Sequence, residues 1–207
     1  MLLLATVLIS SCTRYVDDAR AVAGPDRSTM PASDASQCEA VDAPLTTIPA
    51  QGSDEPVMKI PQPQEWDRST KLDSELIRFA MINHSLVNED SASSVVVTLE
   101  SLSGIEDPDA VFESQREALE SMFGATDLRV IEHTLCGLPA ETVHYRTPGT
   151  SNIAPHPATV VIAVLHTDDM TYAATVTVGG TDADNPTYRH DADMILTGFQ
   201  LLPPAPR

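Results

Sequence analysis

Six histidines are the residues of this chain best suited to acid–base or metal chemistry, and they are scattered along its 207 residues rather than clustered. His133 and His144 are the most suggestive two, because they fall on two predicted strands joined by a short turn and could face each other across it. Facing imidazoles could hold a metal ion or transfer a proton, whereas cross-strand polar pairs are commonly structural. The pattern favours the structural interpretation, so we predict no catalytic residue, no metal site and no cofactor.

Short motifs with a defined chemistry are missing from the sequence. It contains no G-x-S-x-G, no H-E-x-x-H, no cysteine pair at zinc spacing and no glycine-rich phosphate loop. A calcium loop could start at Asp182, with Asp193 at its twelfth position. However, Thr187 stands where the sixth position needs glycine, and Pro186 occupies a ligand position. A helix N-cap at Asn185 explains the same residues better.

Cys12 ends a segment that is typical of a bacterial lipoprotein signal. Residues 2–9 are apolar, and the small residues Ser10 and Ser11 precede the cysteine, as a signal-processing enzyme requires. We predict that residues 1–11 are removed and that Cys12 is lipidated; the alternative is an ordinary cleavable signal with an incidental cysteine. No lysine or arginine precedes the apolar run, which leads us to expect that translation starts upstream of Met1.

Cys38 and Cys136 are the two cysteines that remain after lipidation, and they can pair in only one way. Export to an oxidising compartment favours a disulfide between them, which would stabilise the fold by about 4 to 5 kcal/mol because it closes a long loop. Two free, buried thiols are the alternative.

The charge of the chain excludes some partners. Twelve lysines and arginines stand against 30 acidic residues, a formal net charge of -18, which repels phosphate backbones and anionic lipid surfaces. We therefore expect no nucleic acid as a partner. Apart from residues 2–9, no apolar run approaches the roughly 20 residues that cross a bilayer, so attachment to the membrane would come through Cys12, on the extracytoplasmic side.

The order of the segments predicts one α+β domain. Residues 12–56 are rich in small and polar residues and proline, which is typical of a flexible tether, and residues 203–207 form a tail. The domain at 57–202 should contain a mainly antiparallel sheet sandwiched by helices, in a monomer. Trp66 should be a core residue. Helices are predicted after the N-caps Asp107 and Asn185, and strands at 57–60, 94–100, 128–135, 138–145, 159–165 and 171–178. Residues 76–82 allow a helix by propensity, but their pattern favours a strand.

Four segments of this domain resemble the mycobacterial LpqN/LpqT-type lipoprotein family over residues 57–202. They are IPQPQEW at 60–66, SVVVTLE at 94–100, CGLPA at 136–140 and GFQ at 198–200. The resemblance implies a fold like that of the Mog1/PsbP group, whose members are binding and assembly factors rather than enzymes. It also implies an envelope lipoprotein with an accessory role in glycolipid or cell-wall processes, and it supplies no catalytic residues.

Three functions follow as hypotheses. The first is a lipid-anchored binding module that holds an apolar or amphiphilic envelope molecule such as a glycolipid, or docks on the outer domain of a membrane transporter. The second is a surface or shed protein that engages a host protein through strand edges or the proline-rich loop at 147–157. The third is an esterase-type hydrolase, for which the sequence shows no positioned base. A deep apolar cavity between sheet and helices would favour a lipid carrier over a docking module.

Overall fold

In the part of the chain that the structure describes, ten strands and two α-helices form, and most of them lie where the sequence shows β-branched runs and capped helical segments. The computed structural model describes residues 34–88, 91–151 and 153–205, which belong to one compact unit spanning Pro31–Arg207. The signal segment 1–11 and Cys12 lie outside the described residues, so their assignment stays a prediction. The strands are β1 (Leu45–Ile48), β2 (Val57–Pro61), β3 (Trp66–Arg68), β4 (Ile77–Asn88), β5 (Ser91–Ser103), β6 (Thr126–Leu135), β7 (Leu138–Arg146), β8 (Pro157–His166), β9 (Met170–Gly179) and β10 (Gln200–Leu202).

Seven of these strands form one antiparallel sheet in the order β3-β4-β5-β9-β8-β7-β6. The three others form a small antiparallel sheet in the order β1-β2-β10. Consecutive strands are mostly neighbours, but β9 lies between β8 and β5, which are far apart in sequence. The predicted fold class, a mainly antiparallel sheet with helices packed against it, is confirmed.

Strand β1 lies in the part of the chain that we predicted as a flexible tether, residues 12–56. The structure differs there, because Leu45 pairs with Pro61 and Ile48 pairs with Met58, so that β1 extends the small sheet. Prolines keep this segment extended, and the burial of Ile48 gives the extended chain a reason to pair. The ordered domain therefore begins before Val57.

The two helices are α1 (Pro108–Ser121) and α2 (Pro186–Gly198), and each has the predicted N-cap. The Asp107 carboxylate accepts a hydrogen bond from the backbone N–H of Asp109 at 3.1 Å. The Asn185 side chain accepts from the backbone N–H groups of Thr187 and Tyr188, at 3.0 and 3.3 Å. These bonds satisfy donors that the first turn of a helix leaves free, which fixes where both helices start.

Strand β8 separates the two hydrophobic cores, as its apolar sequence on both faces predicts. One core lies between the large sheet and α1, where Val111 and Phe112 of the helix are buried. The other lies between the opposite face of the sheet, α2 and the small sheet. Alternate residues of β8 enter the two cores: Val160, Ile162 and Val164 in the first, and Val161, Ala163 and Leu165 in the second.

Trp66 joins the edge of the large sheet to α2. Its indole N–H donates to the Asp191 carboxylate at 2.9 Å, and the two residues are only 1% and 7% exposed. The predicted core role of the tryptophan is confirmed. Since a buried carboxylate without a donor is costly, this bond holds α2 in place as well as satisfying both groups.

Replacing Trp66 should therefore lower the free energy of unfolding by more than the loss of side-chain volume alone would. We expect Trp66→Phe to lower the free energy of unfolding by about 2 to 4 kcal/mol, because the Asp191 carboxylate loses its donor. Asp191→Asn keeps an acceptor for the indole and should cost less, about 1 kcal/mol. Urea unfolding followed by circular dichroism measures both, and an equal or larger loss for Asp191→Asn would contradict this account.

Candidate functional site

An open cleft of about 670 Å³ lies between α2 and one face of β6, β7 and β8. We call it the α2 cleft. Its walls combine apolar and polar side chains. The apolar ones include Ile131, Leu135, Val161, Val178, Ala192 and Leu196. The polar ones include His133, Thr142, His144, Thr159, Arg189 and Asp193.

Two histidine–threonine hydrogen bonds form a polar row along the sheet side of the α2 cleft. A ring nitrogen of His133, Nε2, lies 2.9 Å from the hydroxyl of Thr142. On the same face, Nδ1 of His144 lies 3.0 Å from the hydroxyl of Thr159. Alternation along β7 places Thr142 and His144 on one face, and the register sets Thr159 opposite His144. The row offers donors and acceptors to a polar ligand.

The structure does not bring His133 and His144 together as a pair. His133 lies opposite Ala140, and His144 lies opposite Arg129. The two histidines are thus four residues apart in register, which is about 13 Å along the strand. Each ring contacts its own threonine instead. Among the residues that the structure describes, no group of three or more histidine, cysteine or acidic side chains could hold a metal ion.

The turn between β6 and β7 explains this register. Cys136 and Gly137 both have positive φ, 52° and 80°, as in the two-residue turns that suit hairpins. Such a turn pairs Leu135 with Leu138 and therefore places His133 opposite Ala140. The sequence signal for this register was present, because the turn was predicted at these two residues. The threonines of the row were not identified from the sequence. Alternation along β7 could have identified Thr142, because it lies two residues before His144 and therefore on the same face.

The segment around Asp182 is a helix start and not a calcium loop. Asn185 caps α2 through its side-chain oxygen, as described above, and its side-chain amide donates to the carboxylate of Asp182 at 3.5 Å. The capping interpretation of these residues is confirmed.

A disulfide between Cys38 and Cys136 attaches the N-terminal part of the domain to the hairpin tip. We call residues 34–41 the strap. Gln37 and Glu39 of the strap line the α2 cleft beside Cys136. Gln37 lies so close to Gly137 that a Cβ at that glycine would come within 1.9 Å of the Gln37 Oε1 atom. The predicted disulfide is therefore present, and it makes the strap one wall of the cleft.

Tyr188 contributes an uncharged phenol to the helix side of the cleft. Burial is the main cause that raises the pKa of Tyr188 to about 12. The hydroxyl thus stays protonated at neutral pH. With the two histidines and Arg189, the α2 cleft presents both hydrogen-bond donors and apolar walls to a ligand.

Comparison with known proteins places this architecture in a family. The family model described as "probable lipoprotein LpqN" matches residues 39–202. The chain belongs to this family. The match starts just after Cys38, which agrees with a domain that includes β1. A search of curated proteins found no match.

A solved structure shows a similar fold. The structure of LpqN from Mycobacterium tuberculosis, described as involved in cell envelope biogenesis, matches with a TM-score of 0.59 and 16% sequence identity. The match covers 77% of this chain and 91% of that chain. The Ran-binding protein Mog1p of Saccharomyces cerevisiae matches with a TM-score of 0.46 and 13% identity, over 78% and 97% of the two chains. In the part of this chain that the structure describes, neither helix is long and apolar enough to span a bilayer.

Reducing the disulfide should destabilise the domain. The bridge joins residues 98 positions apart, so its loss should lower the free energy of unfolding by about 4 to 5 kcal/mol. Urea unfolding with and without dithiothreitol measures this difference. A Cys38→Ala/Cys136→Ala variant should have the same urea midpoint as the reduced protein, and dithiothreitol should not change that midpoint. An unchanged midpoint in protein shown by thiol titration to be fully reduced would contradict the assigned role of the bridge.

Proposed function

We propose that this protein is a non-catalytic, lipid-anchored binding protein of the mycobacterial cell envelope, exposed on the extracytoplasmic side of the membrane. In this proposal it holds an amphiphilic envelope molecule, such as a glycolipid, in the α2 cleft. Membership of a lipoprotein family supports the location. The involvement of the M. tuberculosis LpqN in cell envelope biogenesis supports the setting.

The mixed character of the α2 cleft is the observation that carries the proposal. Its apolar walls, including Val161 and Leu196, would gain free energy by burying an acyl chain or another apolar group. The histidine–threonine row would bind the hydroxyls or carbonyls of a head group. A volume of about 670 Å³ lies within the range of small-molecule sites.

The geometry of the row favours binding over hydrolysis. In a serine- or threonine-based hydrolase, the histidine that activates the nucleophile is itself oriented by a carboxylate. Here Nδ1 of His133 lies 3.2 Å from the backbone carbonyl of its neighbour Thr134 instead, and the ring is exposed. An exposed imidazole without that orienting group is a weak general base for the Thr142 hydroxyl.

A protein partner is the second candidate, and one feature favours it. Strand β6 is an edge of the large sheet, is ten residues long and is exposed along most of its length. Val130 and Ile131 at its centre are 40% and 49% exposed. Long exposed edge strands can accept a strand from another chain, such as a transporter's outer domain or a host protein.

The lipid content of the native protein tests the first candidate. We expect full-length protein purified from native membranes to carry an extractable lipid, identified by mass spectrometry. Ala192→Trp should fill the α2 cleft and reduce the bound lipid at least about tenfold. The same substitution at the exposed residue Ala110 of α1 is the matched control and should leave the lipid content unchanged.

Two results would overturn this proposal. One is native protein without bound lipid. The other is an Ala192→Trp variant that is folded by circular dichroism and retains its lipid. Co-purification of an envelope or host protein, with no lipid bound, would favour the second candidate instead.

The anchor has a separate test. Cys12→Ala removes the thiol that is the proposed site of acylation, so the variant should leave the membrane fraction and lose the mass of the lipid. Cys12→Ala protein that remains in the membrane with an unchanged mass would show that the attachment lies elsewhere.

A further inference from the structure

A second open space lies on the opposite face of the large sheet, between the C-terminal half of α1 and β4, β5 and β9. We call it the α1 groove; its volume is about 410 Å³. It exists because α1 packs over β7 and β8 through Val111 and Phe112 and leaves the neighbouring strands partly uncovered. Its apolar lining includes Leu76, Ile77, Val96, Leu119, Met122 and Phe123.

Two large apolar side chains at the rim of the α1 groove are exposed to solvent. Met122 is 77% exposed and Phe123 is 64% exposed, although both follow directly on a helix that is otherwise packed on the sheet. Adjacent exposed side chains of this size, next to an apolar groove, mark a surface that a ligand or partner covers.

The polar side chains of the α1 groove largely satisfy one another. The hydroxyls of Thr98 and Thr175 lie 2.7 Å apart, and the side-chain amide of Gln115 donates to the Glu100 carboxylate at 3.0 Å. Burial raises the pKa of the Tyr145 phenol, which also lines the groove and thus stays uncharged. Because these polar groups already have partners, a ligand in the α1 groove needs few polar groups to satisfy them.

The charge around the α1 groove excludes anionic head groups. Glu100 belongs to the lining, and Glu117 and Glu120 are exposed residues of α1, the helix that forms one wall of the groove. Arg116 on the same helix does not compensate them, because it already pairs with Glu113 and Glu141. With a net charge of -18 on the whole chain, a carboxylate or phosphate next to the groove would be repelled.

The size of the α1 groove suits a small ligand better than a second protein chain. Fifteen residues line it, whereas a stable protein interface uses roughly 20 to 30 residues on each side. A volume of about 410 Å³ falls within the range of small-molecule sites.

We propose that the α1 groove is a second ligand site, which binds one acyl chain of an uncharged lipid ester. The chain lies against Leu119, Met122 and Phe123, and the ester faces Glu100. The large sheet separates this site from the α2 cleft, so the two sites bind separately, and the proposal does not depend on the function proposed for the cleft.

A matched pair of twelve-carbon lipids tests this proposal. We expect full-length protein to bind uncharged 1-monolauroylglycerol at least about tenfold more tightly than laurate, measured by calorimetry below the micelle concentration at pH 7.5. The titration uses the Ala192→Trp background, so that the α2 cleft is filled and binding reports on the α1 groove. Failure here therefore leaves the proposal for the cleft standing.

Variants of the rim locate the site. Met122→Ser/Phe123→Ser should weaken the binding of 1-monolauroylglycerol at least about tenfold, and the exposure of both residues means that the fold should be retained. Leu45→Ser/Ile105→Ser changes two exposed apolar residues outside both linings and should have no effect. Equal affinity of the two double variants, or equal affinity for laurate, would overturn the proposal. A dimer that the Met122→Ser/Phe123→Ser variant dissociates would also overturn it, since a second copy would then be the occupant.

Discussion

The burial of the central strands on both faces is the constraint on which the rest of this structure depends. Strands β8 and β9 carry apolar side chains on both sides, so the sheet must be covered above and below. Helix α1 covers one face, and α2 covers the other together with the small sheet. Neither cover extends across all seven strands, so each leaves part of its face open. The α2 cleft and the α1 groove are these two open parts, and they differ because the sheet presents a histidine–threonine row on one face and mainly valine, isoleucine and threonine on the other.

Polar contacts link these layers in addition to the two hydrophobic cores. Trp66 and Asp191 join the sheet edge to α2, and Arg116 and Glu141 join α1 to β7. The hydrogen bond to Glu141 is the largest cause that raises the pKa of Arg116, so the guanidinium remains charged. The disulfide adds a covalent link that local sequence cannot supply, because it joins the strap to a hairpin tip almost half the chain away. Each link sets the position of a wall of a cavity, so stability and the shape of the sites are coupled.

Local sequence predicted most of the strands and both helices, because β-branched runs and the caps Asp107 and Asn185 act over a few residues. It also predicted the disulfide, since only one pairing was possible. It missed β1, a short strand whose stability comes from β2 and from the burial of Ile48. It could not predict the cavities, because they depend on the placement of β9 between β5 and β8 and on how far each helix extends across its face. The two histidines were placed on the correct strands, but their distance follows from the register that the turn at Cys136 and Gly137 sets.

The central claim is that the α2 cleft binds an amphiphilic envelope molecule. Methyl NMR of the full-length protein, titrated with a lipid extract of its native envelope, tests this claim most directly. The account predicts saturable shifts at Val161, Ala192 and Leu196, which line the cleft, and no shifts at Ala110 and Ile105, which lie outside both cavities. The account would be contradicted if the methyl signals of Val161, Ala192 and Leu196 did not move while others did, or if no signal moved at any lipid concentration.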